Sequence, residues 1–535
     1  MKLKKFTPIL LSTLLLASCA LLPNGKKGGN TSSSGDITSN TSGSGTGSSS
    51  SSSSSEEGDP KVTGISLSET SKNMKPGASA TLTATVTGDS GIDKSVTWTS
   101  SNTSVVTVSN GTVTVASGAT AGNKVTITAT SNQDSSKSAS CEITVVTSES
   151  YTIMMYICGA DLESSGSQGG QASADLNEIL SVSGQPSDVN IVVQTGGAKS
   201  WKSSPGVASG VNRYAIRNKS LGTATNVGDK TVNMGSQSTL QSFLTWGMKN
   251  YKADHMALIM WNHGGGAAGC CYDENNDDDN ILPHELDGAI TAAKSAAGVT
   301  GKLDWIGYDC CVMSYADLAS INAQHFKYMV SSQELENGIG WSYDNWLPTL
   351  YQNTSVDTST LLKKISDTMV QANKEWFINH GYSDSDNDQC LSVLNLQNMD
   401  ALTSAFESFA SGLTSSDWSK LKSAYTNSLR MGTEDHSSYD MGLADMKLFL
   451  EKAQSSYSYN VSAVLTALNN VNTYSAYGNY YSSSKHPFGV NVFIPADDDA
   501  YVAEDEYGAN DTKFTNWRNF CIANGTFKSG GGWWY

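Results

Sequence analysis

Two apolar runs, each ending in chemically reactive residues, constrain the fold of this chain more than any other feature. The first run, residues 255–261, leads into His263 and three glycines. The second, residues 303–309, leads into Cys310 and Cys311. Their length and their content of Ile, Leu, Trp and Tyr predict buried strands. Because chemistry gathers beyond the carboxyl ends of parallel strands, we expect an imidazole and a thiol to meet there, as nucleophilic catalysis by cysteine requires.

The alternation of apolar runs with amphipathic patterns from residue 151 onward is typical of a parallel α/β sheet. Further strands are predicted at residues 151–157, 189–193, 328–332, 391–396 and 487–495. Helices are predicted over residues 174–182, 240–251, 284–296 and 358–380. The order of the strands in the sheet cannot be read from the sequence.

Size, charge and cysteine content narrow the function. At 535 residues the chain is too long for one core. Its 34 basic and 51 acidic side chains give a net charge of −17, which argues against nucleic acid or anionic lipid as a ligand and is compatible with cationic substrates. The nine cysteines show no CxxC spacing and are odd in number, so neither a zinc site nor a disulfide framework is indicated.

The amino terminus has the features of an export signal. Lys2, Lys4 and Lys5 precede an apolar stretch that ends in Leu-Ala-Ser before Cys19. This ending resembles the bacterial lipobox, which implies a lipoprotein signal peptide over residues 1–18 and lipidation of Cys19. The acyl chain would hold the protein on the extracytoplasmic face of the bacterial cell membrane. An ordinary secretory signal is the alternative.

Two segments separate this signal from the α/β region. Residues 19–60 are rich in Ser, Gly, Thr and Asn, which predicts a flexible linker. Residues 61–148 show short Val/Ile/Thr alternations broken by turn residues, as in an all-β sandwich. The sequence around Val96 and Trp98 resembles the bacterial immunoglobulin-like group 2 domain. Cys141, in this segment, is interpreted as a small packing residue.

The motifs of residues 150–535 carry a second resemblance. Asn262, His263 and Gly264 precede an Asp-x-Cys-x-Met pattern that begins at Asp309 and ends at Met313. Further pieces are the residues 161–163, 332–334 and 340–343. Together they resemble the clostripain family of cysteine peptidases. The resemblance implies the caspase-like fold, an αβα sandwich with a mostly parallel sheet.

The resemblance also implies a mechanism. Cys311 is the nucleophile, and Cys310 takes the variable position of the motif, with its thiol facing the opposite way because side chains alternate along an extended chain. His263 acts as general base or as partner of the thiolate. The amides of Gly264 and Cys311 hold the oxyanion of the acyl-transfer step. The implied unit is a dyad without a third acid.

Charge near the nucleophile predicts the specificity. The resemblance places Asp309 in the primary specificity pocket, where a buried carboxylate favours a guanidinium or an ammonium group. Glu334 or Glu336 could supply a second acid, although a solvated loop explains these glutamates equally well. We therefore expect cleavage of protein or peptide substrates after Arg or Lys.

An acidic run at residues 273–280 raises the question of a cation. Asp273, Asp277 and Asp279 could supply oxygen ligands, and clostripain-like enzymes are often calcium-dependent. The run lacks the EF-hand order, so a solvated acidic loop is the better interpretation. No cofactor is expected to be required for the chemistry itself.

Three functions remain open from the sequence. The leading hypothesis is a surface-anchored cysteine endopeptidase. The alternative is a catalytically silent adhesion protein whose immunoglobulin-like domain binds a glycan or a host protein. A metallohydrolase that uses His263 and the cysteine pairs is the weakest. Self-processing between the two motifs is doubtful, because no Lys or Arg occurs from Gly264 to Ile290.

Overall fold

The structure is a computed structural model that describes residues 59–146, 149–167, 169–432, 441–482, 485–496, 507–508 and 510–527. The chain divides into two compact units, with the boundary between Thr147 and Ser148. In the ranges described, no helix has the length and apolar character needed to cross a membrane. The predicted signal peptide, Cys19 and nearly all of the predicted linker lie outside the described residues.

The described part of the first unit is a small all-β sandwich. Its strands are β1 (Val62–Leu67), β2 (Ser71–Met74), β3 (Ser79–Thr81), β4 (Ala84–Gly88), β5 (Val96–Ser100), β6 (Val106–Ser109), β7 (Thr112–Val115), β8 (Lys124–Ser131) and β9 (Ser138–Val145). They form sheets in the orders β1-β4, β2-β9-β8-β5 and β3-β7-β6. Only the β2–β9 ladder among them is parallel.

Alternating burial explains why this segment folds as it does. Along β8, every second residue from Val125 is buried, so one face of the strand enters the core. Cys141 is fully buried there, and burial raises the pKa of its thiol to about 11. The predicted immunoglobulin-like sandwich is confirmed, and Cys141 packs within it as expected.

The second unit contains the remaining elements. Its strands are β10 (Tyr151–Cys158), β11 (Val189–Gly196), β12 (Val211–Ile216), β13 (Thr225–Gly228), β14 (His255–Trp261), β15 (Cys270–Asp273), β16 (Asp279–Ile281), β17 (Leu303–Asp309), β18 (Phe326–Ser331), β19 (Cys390–Asn395), β20 (Arg430–Met431), β21 (Leu443–Asp445), β22 (Asn472–Tyr477) and β23 (Asn491–Phe493). Its helices are α1 (Ala160–Ser164), α2 (Gln171–Ser181), α3 (Gln237–Asn250), α4 (Pro283–Ala297), α5 (Ala316–Asn322), α6 (Tyr343–Gln352), α7 (Thr358–Asn379), α8 (Met399–Ser411), α9 (Trp418–Thr426), α10 (Met446–Tyr457), α11 (Ser462–Val471) and α12 (Thr515–Asn524).

A nine-stranded sheet in the order β13-β12-β11-β10-β14-β17-β18-β19-β22 organises this unit. The five strands from β11 to β18 are parallel, and the outer strands on both sides are antiparallel. Every residue of β10 and β17 is buried, as expected for parallel strands covered on both faces. The predicted α/β class with a mostly parallel centre is confirmed.

Helices cover both faces of the sheet. One core contains apolar residues of α3, α4, α5 and α8, and the other contains residues of α2, α6 and α7. The result is the three-layer αβα sandwich that the resemblance implied. Between β14 and β17 the chain forms the short hairpin β15–β16 and then α4.

The prediction of one more core strand over residues 487–495 is wrong in its extent. Only Asn491–Phe493 forms a strand, β23, and it pairs with β21 in a separate three-stranded sheet of the order β20-β21-β23. Pro487 lacks a ladder donor, and Gly489 has φ 115°, so the chain cannot extend the strand toward its amino end.

Candidate active site

The ladder between β14 and β17 brings the two sequence motifs together. Trp261 lies opposite Asp309 in this parallel pair, so His263 and Cys311 each follow two residues beyond the same point of the sheet edge. Both line one small cavity of about 30 Å³. Its other lining residues are Leu162, Trp261, Asn262, Asp309, Cys310, Glu336, Asn337, Gly338 and Gly340.

A carboxylate holds the imidazole of His263. The Nε2 atom of His263 lies 2.7 Å from Oδ1 of Asp161, which belongs to the first turn of α1, immediately after β10. Burial raises the pKa of Asp161, but the hydrogen bond and the charge of His263 outweigh burial, so the pKa is lowered overall. Asp161 is therefore ionised and fixes the orientation of the ring.

The contact between Asp161 and His263 was not predicted from the sequence. The resemblance implied a dyad without a third acid, although residues 161–163 were part of the matching pattern. The signal was the position of Asp161, just beyond the carboxyl end of an apolar strand, like His263 and Cys311. It could not be used because the sequence does not show that β10 and β14 are neighbours.

The thiol of Cys311 faces the main chain of Glu336. The Glu336 N–H donates to Sγ at 3.2 Å, and the S–H donates to the Glu336 carbonyl oxygen at 3.8 Å. Burial raises the pKa of Cys311 to about 11, although the Glu336 amide acts in the opposite direction. Since only 8% of Cys311 is exposed, the thiol is neutral in this conformation.

The neighbouring thiols have other surroundings. Cys310 donates its S–H to the carbonyl oxygen of Met260 at 3.4 Å, so the two consecutive thiols point in different directions, as strand alternation predicts. The Cys270 thiol interacts with those of Cys271 and Cys310. Every cysteine in the described residues is free and buried.

Glycine is required at position 264 because two backbones approach closely. A Cβ atom on Gly264 would lie 2.0 Å from the carbonyl oxygen of Cys311, far inside van der Waals contact. The Gly264 amide also lowers the pKa of the Cys311 thiol by hydrogen bonding. The amide therefore lies next to the sulfur, as an oxyanion donor should.

The turn after the nucleophile is strained. Val312 has φ 52°, which is unfavourable for a β-branched residue. The Val312 N–H donates to the carbonyl oxygen of Glu334 at 3.0 Å, which helps to hold the turn. Strain of this kind often accompanies functional sites.

Asp309 forms one wall of the cavity. Its Oδ2 atom accepts hydrogen bonds from the Tyr343 hydroxyl at 2.8 Å and from the Trp341 N–H at 3.4 Å. Burial raises the pKa of Asp309 to about 6, despite these donors. Gly340 presses against it, because a Cβ at Gly340 would lie 2.8 Å from Oδ1.

The two candidate glutamates occupy different places. Glu336 lines the cavity, and its buried carboxyl group hydrogen-bonds to that of Asp309. Burial and the charge of Asp309 raise the pKa of Glu336 well above its usual range. Glu334 does not line the cavity; its Oε1 atom accepts from the amides of Leu335 and Gly432 at 2.9 and 2.8 Å. Burial raises the pKa of Glu334 to about 8.

Two acids of α2 lie close to Asp309 and were not predicted. The Trp261 indole N–H donates to Oδ2 of Asp175 at 2.7 Å, and the Tyr343 amide donates to Glu178 at 2.8 Å. Burial raises the pKa of Asp175, and it raises that of Glu178 to about 7. The charge of Asp309 contributes to the raised pKa of both acids.

The three aspartates proposed as metal ligands do not converge. Asp273 is buried and accepts hydrogen bonds from the amides of Met234 and Asn275, and Asp279 accepts one from the Asn233 side chain. In the described parts of the chain, no three His, Cys, Asp or Glu side chains are grouped so that they could hold a metal ion. The geometry gives Asp273, Asp277 and Asp279 no common ligand position, and a calcium requirement stays a prediction.

Comparisons with known proteins agree with the two resemblances. The sequence pattern of the clostripain family matches residues 155–522, and that of the group 2 bacterial Ig-like domain matches residues 61–143. One curated protein, 3-O-alpha-D-galactosyl-alpha-L-arabinofuranosidase from Bifidobacterium longum subsp. longum, is 48% identical over 85 residues, which are 16% of this chain and 7% of that enzyme. The chain thus spans only a small part of this curated relative.

Two solved protease structures are among those that match this chain. An inactive zymogen C11 protease from Parabacteroides distasonis is 17% identical with a TM-score of 0.48, over 66% of this chain and 94% of that chain. A secreted C11 cysteine protease from Bacteroides thetaiotaomicron, in complex with an irreversible peptide inhibitor, is also 17% identical with a TM-score of 0.48, over 65% of this chain and 93% of that chain.

Replacing Gly264 by Ala tests the close approach of the two catalytic loops. We expect Gly264→Ala to lower the free energy of unfolding by about 1–3 kcal/mol, because the added Cβ forces the Cys311 carbonyl away. Gly301→Ala is the matched control, since a Cβ there meets nothing within 4 Å. Urea denaturation followed by tryptophan fluorescence measures both. Equal stability of the two variants would contradict the close approach.

Proposed function

Because the chain belongs to the clostripain family of cysteine peptidases, we propose that it is an endopeptidase that cleaves after Arg or Lys. The observation that carries this proposal is the meeting of His263, Cys311 and Asp309 around one cavity at the sheet edge. Nucleophile, base and a carboxylate for a cationic side chain are the groups that such a reaction needs.

The reaction follows from the roles of these groups. His263 takes the proton of the Cys311 thiol, and Sγ attacks the carbonyl carbon of the scissile bond. The amides of Gly264 and Cys311 stabilise the oxyanion of the tetrahedral intermediate. His263 then gives the proton to the leaving amine, and water hydrolyses the acyl-enzyme. Asp161 positions His263 and stabilises the imidazolium that forms.

Buried negative charge supports the choice of a basic substrate side chain. Asp309 is only 5% exposed; its carboxyl accepts hydrogen bonds from the uncharged Tyr343 and Trp341 and is hydrogen-bonded to the carboxyl group of Glu336. A guanidinium or ammonium group would neutralise this acid, whereas an apolar side chain would leave it buried without a counter-charge. Of the two candidate glutamates, Glu336 lines the same cavity and Glu334 does not.

The amino-terminal sequence supports anchoring at the cell surface. We propose that Cys19 is lipidated and that the residues before the sandwich act as a tether. The anchor would hold the peptidase on the extracytoplasmic face of the membrane.

Variants of the two catalytic side chains test the chemistry. Cys311→Ala and His263→Ala should each reduce hydrolysis of an arginyl or lysyl reporter amide by at least about 10³-fold. Cys310→Ala is the matched control and should stay within about fivefold of the wild type, because its thiol contacts Met260 and takes no part in proton transfer. Activity that survives Cys311→Ala and disappears in Cys310→Ala would reverse the assignment.

Substitution of Asp309 tests the specificity and its pH dependence. Asp309→Asn should lower kcat/KM for an arginyl substrate by about 10²–10³-fold, as expected for loss of one partner of a buried ion pair. With a pKa of about 6, Asp309 becomes protonated on acidification, so kcat/KM of the wild type should fall as the pH drops below about 6. Asp309→Asn should lack this acidic limb. A wild type that prefers neutral side chains would contradict the specificity.

Replacement of Cys19 tests the anchor. Cys19→Ala should move the protein from the membrane pellet to the supernatant after fractionation of the expressing bacteria, because the acyl attachment site is lost. Cys141→Ala, whose thiol is buried in the sandwich, is the control and should stay in the pellet. A wild type found wholly in the supernatant would rule out anchoring.

A further inference from the structure

The segment between β18 and α6 closes the catalytic cavity. Glu336 contacts the Cys311 sulfur with both its amide and its carbonyl oxygen, at 3.2 and 3.8 Å. The main chain of Glu336 therefore occupies the space in front of the sulfur, where the carbonyl group of a substrate would have to lie. Asn337, Gly338 and Gly340 of the same segment line the rest of the cavity.

The space that remains is too small for a substrate. A volume of about 30 Å³ admits about two water molecules, whereas ligand pockets have volumes of about 300 Å³ or more. A lysine or arginine side chain cannot enter beside Asp309 while Glu336 stays in place. The chain must move before it can bind such a residue.

The side chain of Glu336 occupies an unfavourable position. Only 6% of Glu336 is exposed, and its carboxyl group hydrogen-bonds to that of Asp309. Two acids therefore share one buried position. The charges of Asp309, Cys311 and Cys390 raise the pKa of Glu336, and the charge of Asp309 raises the pKa of Asp175, Glu178 and Tyr343. None of these groups is a cation, so none of them supplies the pair with a counter-charge.

The first residues of the segment are held by the side chain of Gln389, which does not line the cavity. The side chain of Gln389 accepts a hydrogen bond from the Asn337 amide at 2.8 Å and donates one to the Leu335 carbonyl at 3.2 Å. Gly340 has φ 56°, which glycine adopts readily, so it can serve as a hinge before α6.

We propose that residues 335–340 form a latch that keeps the free enzyme latent, with Glu336 in the place of the basic side chain of the substrate. A guanidinium or ammonium group that reaches Asp309 displaces Glu336 and frees the Cys311 thiol. The proposal rests on the proposed specificity for Arg or Lys. The latch proposal adds a second role for the cationic side chain: Asp309 recognises it, and it also opens the site by displacing Glu336.

Alkylation of Cys311 by iodoacetamide reports whether the latch is open, because the apparent rate scales with the open fraction. The modified peptide is quantified by mass spectrometry in the full-length protein. Glu336→Ala should be alkylated at Cys311 at least about tenfold faster than the wild type. Glu451→Ala, which removes an exposed carboxylate on α10, is the control and should keep the wild-type rate.

A small cation tests displacement without any substitution. Butylguanidine should accelerate alkylation of Cys311 in the wild type by several-fold and should have no such effect on Glu336→Ala. Butylurea, its neutral counterpart, should have no effect on either protein. The comparison of butylguanidine with butylurea on the wild type still tests the latch if the Glu336→Ala variant does not fold.

Two results would overturn the latch. One is an unchanged alkylation rate in a folded Glu336→Ala variant, and the other is protection of wild-type Cys311 by butylguanidine. If the wild type still cleaves after Arg or Lys in these cases, the proposed function stands and the latch alone fails. If the wild type cleaves after neutral residues, the proposed specificity is refuted. The proposed displacement of Glu336 by a cationic side chain is then refuted as well.

Discussion

The parallel ladder between β14 and β17 is the constraint on which the site depends. Its register sets Trp261 opposite Asp309, and a slip of one residue would turn every side chain of one strand to the other face. Both strands are almost completely buried, so the two apolar cores fix this register. His263 and Cys311 lie on short extensions of these strands, so the register of the sheet places the two residues close together.

The second property that determines the site is a set of buried carboxyl groups whose hydrogen-bond partners carry no positive charge. The hydrogen-bond partners of Asp309 are Tyr343, Trp341 and Glu336, and Asp175 accepts a hydrogen bond from Trp261. None of these partners carries a positive charge. Burying carboxyl groups in this way is costly, and their pKa values rise as a result. A cation from outside would relieve the cost, so the same feature accounts for the proposed specificity for Arg or Lys and for the proposed opening of the latch.

The buried centre of the sheet could be predicted from the sequence, because β10, β14 and β17 read as continuous apolar runs. The outer strands β12, β13 and β22 could not, since they are short, mixed in polarity and partly exposed. The pair His263 and Cys311 was accessible from motifs alone. The contribution of Asp161 depends on which strands are neighbours, and the choice of Glu336 over Glu334 depends on how one loop turns. Local sequence patterns predict neither the order of the strands nor the conformation of that loop.

The connection between the two catalytic strands has a consequence for recovery after denaturation. His263 and Cys311 are joined by the β15–β16 hairpin and α4, and from Gly264 to Ile290 this connection offers no basic residue to a peptidase of the proposed specificity. The two lysines of the connection are Lys294, in α4, and Lys302, just before β17, so the reacting groups stay on one polypeptide as long as neither lysine is a cleavage site. In the uncut chain, reassembly of the site is a first-order process, so the renaturation yield of dilute samples is governed by folding and does not depend on an encounter between separate fragments.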